Sequence, residues 1–533
     1  MGGLLNGFDG AFDQIVFDDQ LDFHFGQKID DIFGTTVQLG MALLTAKALG
    51  FGHGQALKAD FVQSFLNFVQ LEGLDDRFDL FHETVSLEKR GTSTRCCQPF
   101  SMGRATSATA KTLESPYISK LFLPFLLANS PFLGHTDKCI AETMWIHAMT
   151  ARNSVFAACQ GTVFETMSRL AAAHGAVNLG QGFPEGLEPP EMIEALVRIS
   201  RDGSHQYPPM LGTAALRQAV ARHEERFYAT PVTADNVMVT SGATAALAAC
   251  LFGLIEPGDE VVVIEPFYDS YLPIIRRAGG IPLLLRLQPP GWDLDLAQLD
   301  ALITPRTRLM IINSPGNPSG KVLSAAELDG LAELVCRHNL TVICDEVYEH
   351  LTFDGHTHIP LSSRPQMASR CVKIGSAGKI FSLTGWKIGW VVGHADLLAP
   401  IIRAHQFLSF SVPPNLQDAV AWGLDHLSSY YLSLPQILSQ RRDRLAQGLS
   451  ALGFIPLPVQ GSYFLTLDLS ALPMTGDDVQ ISTDLTVQAG VTGIPVSAFY
   501  LDQPPKHLLR FCFAKTETAI ENALSRLKTH FLS

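Results

Sequence analysis

The chain has 533 residues, 47% of them apolar and only 17% charged, with a net charge of −13. That length predicts two or three domains with sizeable cores. The acidic balance excludes a general nucleic-acid or anionic-membrane binder. Nine cysteines with no CxxC spacing point to a reduced, cytoplasmic protein rather than a disulfide scaffold.

The first twenty residues carry four aspartates and no basic residue, which fits neither a secretory signal nor a transit peptide. Short apolar bursts follow at Thr36–Leu49 and Asp60–Leu71, then a Ser/Thr-rich stretch from Gly91 to Ser115. The run from Leu121 to Leu133 is too short to span a membrane and is broken by Pro124 and Pro131. Composition changes near residue 140, with half of the 32 phenylalanines lying before residue 133. No catalytic constellation stands out in residues 1–145. Three readings fit them: a disordered extension, a small appended domain, or coding sequence assigned too far upstream, with Met144 or Met149 as the start; we favour the last.

From about Ser154 the chain alternates between β-branched strands and amphipathic helices. Asn236–Thr240, Glu260–Glu265, Leu309–Asn313, Thr341–Cys344 and Cys371–Gly375 read as strands. Ala243–Ile255 reads as a helix, and Ser324 with Glu327 forms a capping box opening another that runs to about His338. Apolar strands alternating with helices imply an α/β fold with a largely parallel sheet covered on both faces.

The chemistry-bearing segments follow these strands. Thr240-Ser241-Gly242-Ala243-Thr244 joins a strand to a helix, where small residues let backbone N–H groups meet an anion. Glu265-Pro266-Phe267-Tyr268 puts an aromatic ring at a strand's carboxyl end, where open α/β sheets bind ligands. Asn313-Ser314-Pro315-Gly316-Asn317-Pro318 presents Asn317 on a rigid turn. Asp345, in Cys344-Asp345-Glu346-Val347-Tyr348, emerges from an apolar strand and needs a cationic or donor partner. A protonated pyridine nitrogen is such a partner, and Tyr348 stands close enough in sequence to serve the same ring. Lys379 lies in Ser376-Ala377-Gly378-Lys379, between small residues that let a flat cofactor approach. Its amine is placed to form a Schiff base with an aldehyde. Eight residues on, Lys387 offers a second cation suited to a phosphate. Arg510, within Leu509-Arg510-Phe511-Cys512-Phe513, reads either as an edge residue facing water or as a bidentate grip on a carboxylate.

Taken in order, these segments resemble the class I aminotransferases of pyridoxal phosphate (PLP) fold type I, over roughly residues 154–530. Asn178-Leu179-Gly180-Gln181-Gly182-Phe183-Pro184, Asp354-Gly355-His356 and Gly385-Trp386-Lys387-Ile388-Gly389-Trp390 point to the methionine/aromatic and kynurenine aminotransferase branch. The resemblance implies a mostly parallel seven-stranded sheet in a large PLP-binding domain (191–399), with a smaller α+β domain from 154–190 and 400–533. It implies that Lys379 carries the cofactor and moves the substrate proton. Asp345 would hold the pyridine nitrogen, Asn317 and Tyr348 the ring oxygen, and Tyr268 would stack on the ring. Ala243, Thr244, Ser376 and Lys387 would bind the phosphate, joined by Tyr207 from the second subunit of a homodimer. Gly182, Asn317 and Arg510 would take the substrate carboxylate, with Phe164 and Phe410 lining the side-chain pocket. Phe410-Ser411 replaces the Phe-His pair usual in the kynurenine branch, which favours methionine or aromatic amino acids paired with a 2-oxo acid. No metal is implied. The alternatives are β-elimination from cysteine S-conjugates on the same scaffold, or an aminotransferase-like sensor in a transcription regulator. The regulator requires a basic helix-turn-helix, which the acidic N-terminal region does not offer.

Overall fold

The computed structural model describes residues 153–159 and 161–532. The expected extension over residues 1–145 and the expected start at Met144 or Met149 lie outside the described residues.

In chain order, helix α1 (Val163–His174) leads into the short strand β1 (Val177–Asn178), and α2 (Ala214–Tyr228) into β2 (Val237–Thr240). Then come α3 (Gly242–Leu254), β3 (Glu260–Glu265), α4 (Tyr271–Arg277), β4 (Ile281–Arg286) and β5 (Thr307–Asn313). Helix α5 (Ala325–Arg337), β6 (Thr341–Asp345), β7 (Cys371–Ser376), α6 (Ala377–Ile380), β8 (Gly389–Gly393) and α7 (Ala395–Leu408) follow. The last strands are β9 (Ile455–Pro456), β10 (Phe464–Asp468), β11 (Val491–Thr492), β12 (Ile494–Pro495) and β13 (Leu508–Cys512).

Seven strands form one sheet in the order β2-β8-β7-β6-β5-β3-β4. All its pairings are parallel except those of β8, which runs antiparallel to both β2 and β7. Five expected strands are present, with ends shifted by no more than two residues. Strand β8 was not anticipated, because Gly389-Trp390 lies inside a segment that reads as the lysine loop. Successive residues of the central strands point to opposite faces. Val261, Val263, Ile311 and Ile343 join one buried cluster, whereas Val262, Met310, Ile312 and Val342 join the other. Both faces are therefore covered, which is why these strands read as continuous apolar runs. Helix α5 opens with the expected capping box: Glu327 accepts from the Ser324 backbone N–H while its own N–H donates to Ser324 Oγ.

The strand directions determine where the site forms. Strands β2, β3, β5, β6 and β7 all point the same way, so Thr240, Glu265, Asn313, Asp345 and Ser376 meet along one carboxyl edge. A second sheet, β12-β13-β10-β9, places Arg510 between Ile494 and Thr466. Arg510 thus sits on an internal strand, 1% exposed, and not on a wet edge.

Candidate active site

Lys379 lies in the short helix α6, directly after β7. Its Nζ donates to the phenol oxygen of Tyr463 at 2.6 Å and stands 3.5 Å from the carbonyl oxygen of Gly182. The amine also lies over the rings of Tyr348 and Tyr463, 5.5 and 5.2 Å from their centroids. Desolvation pushes its pKa down from the ordinary lysine value to about 8.

Asp345 ends β6, level with Asn313 on one side and Ile374 on the other. Oδ2 accepts a 2.6 Å hydrogen bond from Tyr271, whereas Oδ1 is buried with no partner. Burial raises the carboxyl pKa. A buried carboxylate in that state favours a cation close by. Tyr348 is buried, and desolvation holds its phenol well above the ordinary range, so it remains a proton donor.

A cradle lies where β2 runs into α3. Gly242 adopts φ +75°, and a Cβ there would come within 3.3 Å of Lys387 Nζ. Lys387 itself adopts φ 54°, a left-handed conformation that turns its side chain back over this helix start. A Cβ on Gly389 would lie 2.9 Å from the backbone nitrogen of Ala243. Gly242 and Gly389 thus let Lys387 and the Ala243 backbone approach closely, with Ser376 paired to Gly389 beside them. Tyr268 packs edge-on to Tyr271, with centroids 5.9 Å apart.

Arg510 Nη1 donates to Asn317 Oδ1 at 2.8 Å, and Nη2 to the Gly180 carbonyl at 2.7 Å. The rings of Phe464, Phe164 and Phe499 surround the guanidinium at 4.0, 5.1 and 5.1 Å. Desolvation lowers its pKa to about 10. Gly182 borders the same pocket, because a Cβ there would meet the Phe464 ring at 2.7 Å. Tyr207 and Phe410 lie apart from this cluster. Tyr207 is 85% exposed, Phe410 44%, and the two rings pack on each other at 5.8 Å.

Three contributors escaped the sequence reading: Tyr271, Tyr463 and Phe499. Tyr271 was in view, three residues after Tyr268 at the start of α4. Tyr463 lies in Gly461-Ser462-Tyr463-Phe464, before β10, and nothing local marks it as a partner of a lysine 84 residues away. Phe499 reaches Arg510 only because β12 and β13 pair.

A pyridine cofactor bearing an aldehyde and a phosphate fits these groups. The unpartnered Asp345 Oδ1 matches a protonated ring nitrogen, the Lys379 amine an aldehyde, and the Gly242–Lys387 cradle a phosphate. Among the described residues no helix is long and apolar enough to cross a membrane.

The family profile "Aminotransferase class I and II" matches residues 175–527. A probable N-succinyldiaminopimelate aminotransferase of Mycobacterium tuberculosis is 44% identical over 378 residues, covering 69% of this chain and 95% of that protein. The methionine aminotransferase of Escherichia coli is 42% identical over 368 residues, with the same coverage of each. Among solved structures, the M. tuberculosis N-succinyldiaminopimelate aminotransferase superposes with a TM-score of 0.69, covering 71% of this chain and all of the other.

Proposed function

The chain belongs to the class I and II aminotransferases, which are PLP-dependent enzymes, and we propose that it exchanges the amino group of methionine or an aromatic L-amino acid for the oxo group of a 2-oxo acid. Bound PLP supplies an aldehyde that captures amines and a ring that takes up electron density. Everything else falls to this chain's own residues.

Asp345 Oδ1 would hold the ring nitrogen protonated, Asn317 and Tyr348 would bond the ring oxygen, and Tyr268 would cover a ring face. The N–H groups of Ala243 and Thr244, with Ser376 and Lys387, would hold the phosphate, aided by Tyr207 from a second subunit. Lys379 Nζ would hold the cofactor and, when free, would accept the proton from the substrate α-carbon. A pKa near 8 suits an amine that must be neutral to accept it. Arg510 grips the substrate α-carboxylate, assisted by Asn317 and Gly182.

One observation carries the donor preference: the arginine that grips the carboxylate is walled by Phe164, Phe464 and Phe499. A substrate held there places its side chain against aromatic rings, which suits methionine and aromatic donors. The likeness to the E. coli methionine aminotransferase supports the same reading.

The work divides between a large domain (191–399) and a small one (154–190 with 400–533), in a cytoplasmic homodimer. Free thiols at all six described cysteines that the structure reports are in keeping with a reducing compartment.

Incubating purified holoenzyme with single amino acids and a 2-oxo acid tests the proposal. Methionine and phenylalanine should give the fastest loss of the lysine-bound cofactor absorbance and yield their 2-oxo acids. An N-succinylated diaminopimelate turned over faster than both overturns the donor assignment. Pyruvate and a thiol from cysteine S-conjugates as the main products overturn transamination as the principal activity.

A further inference from the structure

Tyr463 is completely buried, held between Tyr348 (centroids 5.1 Å apart, 83° interplanar) and Phe464 (4.7 Å, 59°). Its backbone carbonyl accepts from the Phe513 N–H, which ties it to the strand that carries Arg510. The phenol donates its one proton to the Gly182 carbonyl at 2.7 Å. The Phe464 ring packs against Gly182, in the space a Cβ there would take. A phenol has one donor and two lone pairs. With its proton committed to Gly182, Tyr463 can meet Lys379 only as an acceptor, and it does so at 2.6 Å.

We propose that Tyr463 is the positioning residue for Lys379: its phenol oxygen holds the free amine between Gly182 and the cofactor face, and stabilises that amine when it carries a proton. The proposal rests on the reading of Lys379 as the PLP lysine. Burial keeps the phenol protonated far above the ordinary range, so Tyr463 does not take the proton itself. An accepting oxygen stabilises an ammonium more than a neutral amine. Tyr463 therefore offsets part of the desolvation acting on Lys379. The other charged or titratable groups acting on Lys379 are Asp345 at the end of β6, Arg510 and Cys512 on β13, and Lys387 beside the phosphate cradle. The cations Arg510 and Lys387 oppose a protonated Lys379, and Asp345 and Cys512 favour it.

The test uses Tyr463→Phe and reads the amine directly. In cofactor-free protein, the pH dependence of Lys379 acylation by an amine-selective reagent is followed by peptide mass spectrometry. The labelling midpoint should fall by about one pH unit relative to the unsubstituted protein, the loss of one charge-assisted hydrogen bond. In the PLP-loaded enzyme, kcat should fall about tenfold with KM for the donor little changed. An unchanged midpoint overturns the proposal. If Tyr463→Phe does not fold, a fluorinated tyrosine placed at 463 keeps the packing and weakens the acceptor, and a smaller shift in the same direction is expected; no shift overturns the proposal equally. Borohydride reduction of the unsubstituted holoenzyme separates the two readings. A pyridoxyl label missing from the Lys379 peptide sinks the lysine assignment, whereas a label present with no midpoint shift sinks only the role of Tyr463.

Discussion

Tyr271 donates a 2.6 Å hydrogen bond to Oδ2 of Asp345 and leaves Oδ1 of the same carboxylate buried without a partner. The tyrosine fixes the carboxylate plane, so the free oxygen has one direction in which to act. A hydrogen bond to a carboxylate also favours its charged form against the burial that raises its pKa. Tyr271→Phe should therefore weaken PLP binding by about tenfold, one hydrogen bond to a charged group. Fluorescence titration of cofactor-free protein with PLP measures this, and an unchanged Kd would show that Asp345 is oriented by its strand alone.

The pH dependence of cofactor capture follows from Lys379. An amine attacks an aldehyde only when neutral, that is, above its pKa, and here that pKa lies near 8 instead of the usual 10.5. At pH 7 the neutral fraction is then about 300-fold larger than for an ordinary lysine. The rate of PLP capture by cofactor-free protein should rise with pH up to about 8 and then level off. A rate still climbing steeply between pH 9 and 10 contradicts the depressed pKa. Lys379→Ala should abolish transamination, and retained turnover would refute the assignment of the lysine.

Six residues before Lys379, on strand β7, the buried Lys373 donates to Glu224 at 2.6 Å and Glu349 at 2.7 Å, with Glu346 at 3.7 Å. Burial opposes its charge, yet the carboxylates outweigh burial and raise its pKa. Lys373→Met leaves buried carboxylates uncompensated and should cost about 3–5 kcal/mol of stability. Thermal or urea unfolding checks this. The double substitution with Glu224→Gln should recover part of the loss; a single variant as stable as the parent contradicts the ion-pair account.

Gly389 pairs with both Thr240 and Ser376, and a Cβ there would lie 2.8 Å from the Gly242 backbone. Gly389→Ala should push the start of α3 away from Lys387, at a cost of about 1–3 kcal/mol of stability. PLP affinity should fall while pyridoxal lacking the phosphate binds as before. Equal losses for both ligands would place the damage outside the phosphate cradle.

The parts of the site carried by strand ends were legible because their chemistry is local. An apolar run that ends in Asp345, Asn313 or Ser376 announces both the strand and the edge where it stops. Lys379 and Lys387 belong to the same stretch of chain as their glycines. Arg510 stood between two readings, since a strand of alternating aromatics does not say whether it is internal. Pairing with β10 and β12 decided that, and removed the arginine from water.

The sequence by itself determined which residue types lie at the carboxyl ends of the strands, since apolar periodicity and turn chemistry act over a few neighbouring residues. Only the tertiary structure decided which of those groups touch. Tyr463 reaches Lys379 and Tyr271 reaches Asp345 because sheet order and strand pairing bring distant segments within 3 Å. Such contacts leave no periodic trace in the chain, as each depends on burial and register set elsewhere in the fold.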